Sequence, residues 1–281
     1  MIKKTNKNCL KVFYDYVASN FGDILNENIF KELGYNIKYA SKKNCDVIGF
    51  GSLLDMILCN KTEYFKRFRY KFYKPAIVWG TGFIKEEESD KVMLRTLEVY
   101  AVRGYLTLNR LKKYKNVKIK NNVAIGDPGL LISHFFDTKN IQKKYSLGII
   151  SHINDKNHYS INNIKIKNTT FIDIQQNPID FIKKVAECEC IISSAMHGLI
   201  CADSLGIPNI RIIQSNSLVG GDYKFNDYYS AFGINNPKSI NLNTQLIEQE
   251  DLEQIIQKYP ISKQKVLEIQ KNLLDAFPFT L

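Results

Sequence analysis

No run of about eighteen apolar residues occurs anywhere in this chain, which leaves nothing long enough for a transmembrane helix. The basic start, Met1-Ile2-Lys3-Lys4-Thr5-Asn6-Lys7-Asn8, has no apolar stretch behind it, so a secretory signal is not expected. Cys188 and Cys190 are separated by one residue rather than two, and His134, His152, His158 and His197 lack zinc-type spacing. A structural metal is therefore not expected, and cysteines 9, 45, 59, 188, 190 and 201 read as free thiols in a reducing cytoplasm. Gly49-Phe50-Gly51-Ser52 lacks the third glycine of a dinucleotide fingerprint, and no repeat of solenoid length appears. Acidic residues are also in short supply: 28 against 39 basic ones, a formal net charge of +11. That excess implies anionic company. Residues 61–74 carry six positive charges against one negative, interleaved with aromatics. The segment suits an anionic membrane surface or a solvated helix with a basic outer face. It is too short to argue for nucleic acid, which would also leave the residues described next unexplained.

What the chain does have is one stretch around which the rest arranges itself. Cys188 to Ile192 is apolar enough for a buried strand, and Asn209 to Ile213 reads as another. Between them, Leu199, Ile200, Ala202 and Leu205 fall at helical spacing, with Gly206 placed to stop the helix. This is a strand–helix–strand unit of a parallel sheet. Ser193, Ser194 and His197 stand where strand becomes helix, at the sheet edge where open α/β folds bind ligands and helix N–H groups favour anions.

The same grammar recurs along the chain. Leu10 to Tyr14 reads as a strand leading into Asn20, Gly22 and Asp23, a turn and helix-cap cluster. Asp46–Ser52 and Pro75–Gly82 each read as a strand ending in glycines, and Leu97–Val102 as a strand delivering Arg103-Gly104. Val123–Ile125 runs into Gly126-Asp127-Pro128-Gly129 and then an apolar helix through Phe136. Residues 137–144 read as a linker. Tyr145–Ile150 then delivers Ser151-His152, 154–168 reads as an exposed loop, and Thr169–Ile174 as a strand. Gly220 to Tyr229 mixes glycine, charge and aromatics, and two closing helices are split at Pro260. The expected fold is α/β with two Rossmann-like domains, residues 1–140 and 141–281, facing each other across a cleft in a GT-B-like manner. The closing helices are expected to pack back on the first domain.

Six stretches in order resemble the polysaccharide pyruvyl transferase family. Asn20-Phe21-Gly22-Asp23 is similar to its N-F-G-D, Val102-Arg103-Gly104-Tyr105-Leu106-Thr107 to V-R-G-x-x-T, and Gly126-Asp127-Pro128 to G-D-P. Ser151-His152 with Asp155 stands where members often have P-H and an acid; Ser193 to Pro208 resembles S-S-x-x-H-G-L-I-x-A-D-x-x-G-I-P. Lys224-Phe225-Asn226-Asp227-Tyr228 resembles K-F-x-D-Y. The resemblance implies transfer of a pyruvyl group from phosphoenolpyruvate to two hydroxyls of a sugar in a surface polysaccharide precursor, forming a cyclic ketal. It also implies no resident cofactor, a glycan or lipid-linked oligosaccharide acceptor, and work in the cytoplasm at the inner membrane face. Some members carry an Arg, thought to hold the donor, where Ala195 stands here; another subgroup also lacks it.

A donor with up to three negative charges needs cations and helix N-termini. Arg103, Lys224 and Arg211, with Ser193 and Ser194, are the expected donor contacts. His197 and His152 are the expected catalytic pair, one as acid or phosphate binder and the other deprotonating a hydroxyl or holding the leaving phosphate. Asn20, Gly22, Asp23, Asp127 and Asp222 are expected on the acceptor side, with turn formation the alternative for each Asp. For His197 the alternative is capping or packing, and for Arg103 a salt bridge across the cleft. A sugar-nucleotide glycosyltransferase and a non-catalytic glycan- or membrane-binding protein remain alternative readings of the whole.

Overall fold

A parallel strand covered by helices on both faces must be apolar nearly throughout, and Leu97, Val99, Ala101 and Val102 are all fully buried. The structure, a computed structural model, describes residues 9–15, 20–60, 73–86, 91–215 and 220–279. Its strands are β1 Leu10–Phe13, β2 Ile37–Tyr39, β3 Val47–Ile48, β4 Leu58–Asn60, β5 Ala76–Trp79, β6 Lys91–Met93 and β7 Leu97–Val102. They continue as β8 Val117–Ile125, β9 Tyr145–Ile150, β10 Thr169–Phe171, β11 Cys188–Ser193, β12 Asn209–Ile213 and β13 Ser239–Asn241. Two parallel sheets result, in the orders β2-β1-β3-β5-β7-β8 and β10-β9-β11-β12-β13. Counted within each sheet, they run 2-1-3-4-5-6 and 2-1-3-4-5, so each is doubly wound and each reverses direction beside its own first strand. β4 and β6 form a separate antiparallel pair.

The helices follow the sequence signals. Phe21–Glu32 begins at Asn20, whose side chain accepts from the Asp23 N–H, and Met196–Leu205 ends at Gly206 with φ +68°, the left-handed cap that glycine adopts without strain. Several expected elements are shorter than the sequence suggested. Asp46–Ser52 contracts to the two residues of β3, because its glycines leave little side chain to pack. The Thr169–Ile174 strand stops at Phe171. The apolar segment after Gly129 is a 3-10 turn, Pro128–Leu131, followed by a single helical turn, Ile132–Phe135. The stretch 154–168 is not simply exposed: it holds 3-10 turns and buries Asp155 and Ser160 completely. β8 is longer than expected because Val117-Lys118-Ile119-Lys120 alternates as an edge strand does. Of the basic aromatic segment, residues 61–72 lie outside the described residues.

One hydrophobic core runs through both halves. It takes in Leu25 and Ile29 from the first helix, Leu131 beyond β8, and Phe181, Leu199 and Ile200 from the second half. A smaller cluster, with Leu147, Ile149, Ile192 and Leu252, covers the other face of the second sheet. Phe21 stacks on Phe181 with ring centroids 4.0 Å apart, and Ser204 Oγ donates to Leu130 O at 2.7 Å. The Lys263–Asp275 helix returns to the first sheet: Trp79 Nε1 donates to Leu273 O at 3.0 Å and Gln270 Nε2 to Leu130 O at 2.6 Å. Among the described residues no helix is long and apolar enough to cross a membrane.

Leu273 is fully buried at that junction. Leu273→Ala should cost about 2–5 kcal/mol, read as a lower urea midpoint with unchanged slope in a single transition. An unmoved midpoint would make the last helix an independent appendage.

Candidate active site

Strand order fixes where a ligand belongs in such sheets: the crevice at the carboxyl edge where the order reverses. In the first sheet that is between β1 and β3, which deliver Asn20-Phe21-Gly22-Asp23 and Gly49-Phe50-Gly51-Ser52. In the second it is between β9 and β11, which deliver Ser151-His152 and Ser194-Ala195-Met196-His197. The two crevices meet. A Cβ on Gly22 would lie 1.9 Å from Nδ1 of His197, so the imidazole of the second half rests on bare backbone of the first.

Arg103, at the end of β7, is fully buried and spans the same junction. Its Nε donates to Asp227 Oδ2 at 2.8 Å, Nη1 to Ser52 Oγ at 2.6 Å, and Nη2 to the carbonyl of Phe83. Asp227 also accepts from Thr107 N and Thr107 Oγ1, both at 2.7 Å. Gly104 makes room for this, since a Cβ there would sit 1.7 Å from the Asp227 carbonyl oxygen. The salt bridge across the halves, the alternative role for Arg103, is therefore present. It leaves one N–H on each Nη uncommitted by these bonds, so bridging does not preclude anion binding.

Lys224 is buried beside this pair, and no carboxylate among the described residues forms a salt bridge with it. Desolvation, Arg103 and Arg211 lower its pKa to about 8, while Asp155 opposes them. Burial, with Arg103 and Lys224, pushes His197 down to about 3, so its imidazole is neutral at neutral pH. Its Nε2 is buried without a hydrogen-bond partner, an atom whose desolvation nothing offsets. His152 is lowered by burial and by Lys224, and raised by Asp155. Its Nδ1 accepts from Asn154 N at 3.2 Å, which caps the Ile153–Asp155 turn and places the neutral ring's proton on Nε2. Lys224 thus acts on both imidazoles, and Arg103 on His197 and Lys224.

A profile of the family described as polysaccharide pyruvyl transferase matches residues 3–216. The chain belongs to that family. It is 34% identical over 166 residues to the uncharacterized protein L143 of Acanthamoeba polyphaga mimivirus, covering 57% of this chain and 56% of that protein. It is 23% identical over 240 residues to the succinoglycan biosynthesis protein ExoV of Rhizobium meliloti (strain 1021), covering 83% of this chain and 68% of ExoV. The match thus spans little more than half the length of the viral relative. Protein KP1_0663 of Klebsiella pneumoniae shares 14% identity, with a TM-score of 0.44 over 83% of this chain and 92% of its own.

For a member of the pyruvyl transferase family, the remaining expected residues divide clearly. Ser193 Oγ donates to Ile150 O and Ala195 O, and Ser194 Oγ donates to Gln214 and accepts from His152 N. Both hydroxyls hold the strand end and position the histidines. Ala195 is buried and brings no cation, and the cations that act on His197 are Arg103 and Lys224. Arg211 pairs with Asp222 at 2.6 Å and lies 3.8 Å over the Phe225 ring; Asp222 itself is 67% exposed. Asp127 Oδ1 accepts from Gly129 N at 2.9 Å, the turn role weighed for it, and burial raises its pKa to about 6. Asp23 is raised by burial and by Asp15 to about 7, with Asn20 Nδ2 donating to its Oδ2. Cavities of about 460 and 440 Å³ open elsewhere, and neither is lined by Arg103, His152, His197 or Lys224. No group of three His, Cys, Asp or Glu among the described residues is placed to hold a metal ion.

Asp227, Thr107 and Ser52 were not singled out from sequence, although the first two are letters of the family motifs. Asp203 was missed as well: fully buried, it accepts from Tyr228 and Tyr259 hydroxyls, each at 2.6 Å, and from Asn209. Asp227→Ala should cost about 3–5 kcal/mol by stranding a buried guanidinium, read as a fall in melting temperature. Asp227→Asn, which keeps one acceptor oxygen for the Thr107 N–H, should lose less.

Proposed function

We propose that this chain transfers a pyruvyl group from phosphoenolpyruvate to two hydroxyls of one sugar in a surface-polysaccharide precursor, forming a cyclic ketal. One observation carries the reading within the family. The unpartnered Nε2 of His197 lies beside two buried cations, Arg103 and Lys224, where the two halves meet. A small polyanion is the ligand such an arrangement favours. In the reaction the donor's C2–O bond to phosphate breaks and two bonds from C2 to sugar oxygens form. One hydroxyl's proton replaces that gained by the methylene carbon, and the other leaves with phosphate.

The residues divide that work. Arg103 and Lys224 hold the donor's carboxylate and phosphate. His197, neutral at working pH, offers an N–H to the phosphate, and His152 holds the leaving phosphate from the other side. The acceptor lies along Asn20–Asp23 and Gly51-Ser52. This arrangement is GT-B-like in that each half contributes one sheet edge to the reacting centre. The similarity to ExoV, a succinoglycan biosynthesis protein, supports a glycan acceptor. A lipid-linked one would place the enzyme at the cytoplasmic membrane face, which the basic sequence 61–74 suits.

Purified protein incubated with phosphoenolpyruvate and a panel of glycosides should release phosphate and yield a product heavier by pyruvic acid less one water. Phosphoenolpyruvate alone should raise the melting temperature, and a sugar nucleotide should not. Equal stabilisation by the nucleotide, without phosphate release, would replace this reading with a glycosyltransferase.

A pH dependence follows from Lys224. Its pKa near 8 means the free enzyme loses this cation as pH rises through 8, so kcat/KM for phosphoenolpyruvate should fall on that side. Lys224→Arg should move the falling limb to higher pH, and Lys224→Met should raise KM at least tenfold.

A further inference from the structure

Resting on the pyruvyl-transfer reading, we propose that the carboxyl of Asp23, not an imidazole, exchanges protons with the reacting molecules. It gives one proton to the donor's methylene carbon and takes one back from the first attacking hydroxyl.

Placement is the first argument. Asp23 follows Gly22, the residue on which the His197 ring rests. Its Oδ1 faces Gly51, where a Cβ would lie 4.0 Å away, and the next residue, Ser52, holds Arg103. The carboxyl thus approaches the Gly51-Ser52 wall that carries the guanidinium, one residue on from the glycine under the imidazole. It is buried to 8% exposure and, among the described residues, no lysine or arginine forms a salt bridge with it. Among the described residues its side-chain partner is the neutral amide of Asn20.

The other carboxyls nearby are tied internally or closed off, although Asp127 and Asp155 each keep an Oδ2 buried without a partner. Asp227 is tied to Arg103 and Thr107, Asp155 accepts from Ser215, and Asp222 is an exposed partner of Arg211. Asp127 is fully buried behind the Gly129 N–H. Asp23 keeps 8% exposure where Asp127, Asp155 and Asp227 have none, so among these buried carboxyls it is the one open to a substrate.

Electrostatics points the same way. Among the described residues the titratable group that acts on Asp23 is Asp15, from the exit of β1; desolvation, the larger effect, and Asp15 together hold its proton. Bound donor brings negative charge, which raises the pKa of every neighbour. Asp23 starts near neutrality and is driven to the protonated form before the reaction. His197 starts far lower, held down by the cations that bind the donor, and stays the weaker source of a proton.

The proton count closes on one group. Asp23 is neutral before the methylene is protonated and ionised while C2 is electrophilic. It becomes neutral again once the first hydroxyl has attacked. The second hydroxyl's proton departs with phosphate, so no further acid is consumed.

The test uses the full chain. Asp23→Asn keeps an acceptor for the Asn20 amide and so should keep the melting temperature. Its kcat for phosphate release should fall at least about 100-fold, the low end for a lost general acid–base, with the phosphoenolpyruvate KM within threefold. In D2O, deuterium should enter the product's methyl group at the wild-type site and be lost with turnover in Asp23→Asn. Asp23→Glu, which restores a carboxyl, should recover part of kcat together with the near-neutral limb of the pH profile. His197→Gln should keep that limb at a lower rate. Wild-type protein that releases no phosphate overturns the pyruvyl-transfer reading and this inference with it. An active wild type with Asp23→Asn within threefold of its kcat, or a limb lost in His197→Gln but kept in Asp23→Asn, overturns the inference alone.

Discussion

The carboxylate of Asp227 is the fixed point of this molecule. It sits on a helix of the second half yet is bonded to Arg103 and Thr107 of the first, with the Gly104 backbone pressed against its own carbonyl. A fully buried ion pair costs about as much desolvation as it returns in attraction, so it argues for precise placement more than for stability. Arg103 is held by Asp227, Ser52 and Phe83 in a direction it could not choose alone. The guanidinium that faces the donor in the proposed reaction is thus oriented before any substrate arrives, which is how a site avoids reorganising at the moment of reaction.

Crowding of positive charge is the second constraint, and it follows from the first. Arg103, Lys224 and Arg211 are buried near one another, and only some of that charge is matched by Asp227 and Asp222. Lys224 and the two histidines respond with lowered pKa values. Such a cluster is unfavourable in the free protein and is relieved by an anion. Stability spent there is regained only on binding, the usual signature of a functional centre.

Much of this was legible in the residues. Alternating apolar strands and capped helices point to two parallel sheets, and place Asn20–Asp23, Arg103, His152 and His197 at strand ends. Spacing cannot show which hydroxyls and carboxylates are consumed internally. Ser193 and Ser194 look like ligand contacts in sequence, yet their oxygens bond to backbone and to Gln214. Asp227 lies 124 residues from Arg103, and no local pattern announces such a pairing. Short strands such as β3 were overestimated because glycines that let backbone approach a neighbour also end the packing that sustains a strand.

The Lys263–Asp275 helix lies against the first sheet, with Trp79 bonded to Leu273 and Gln270 to Leu130. The polypeptide therefore passes between the halves twice, once after Ile125 and again after Gln257. Two tethers permit little besides rotation about the line joining them. Any opening that admits a bulky saccharide should be a small, reproducible hinge swing, not a free separation of lobes.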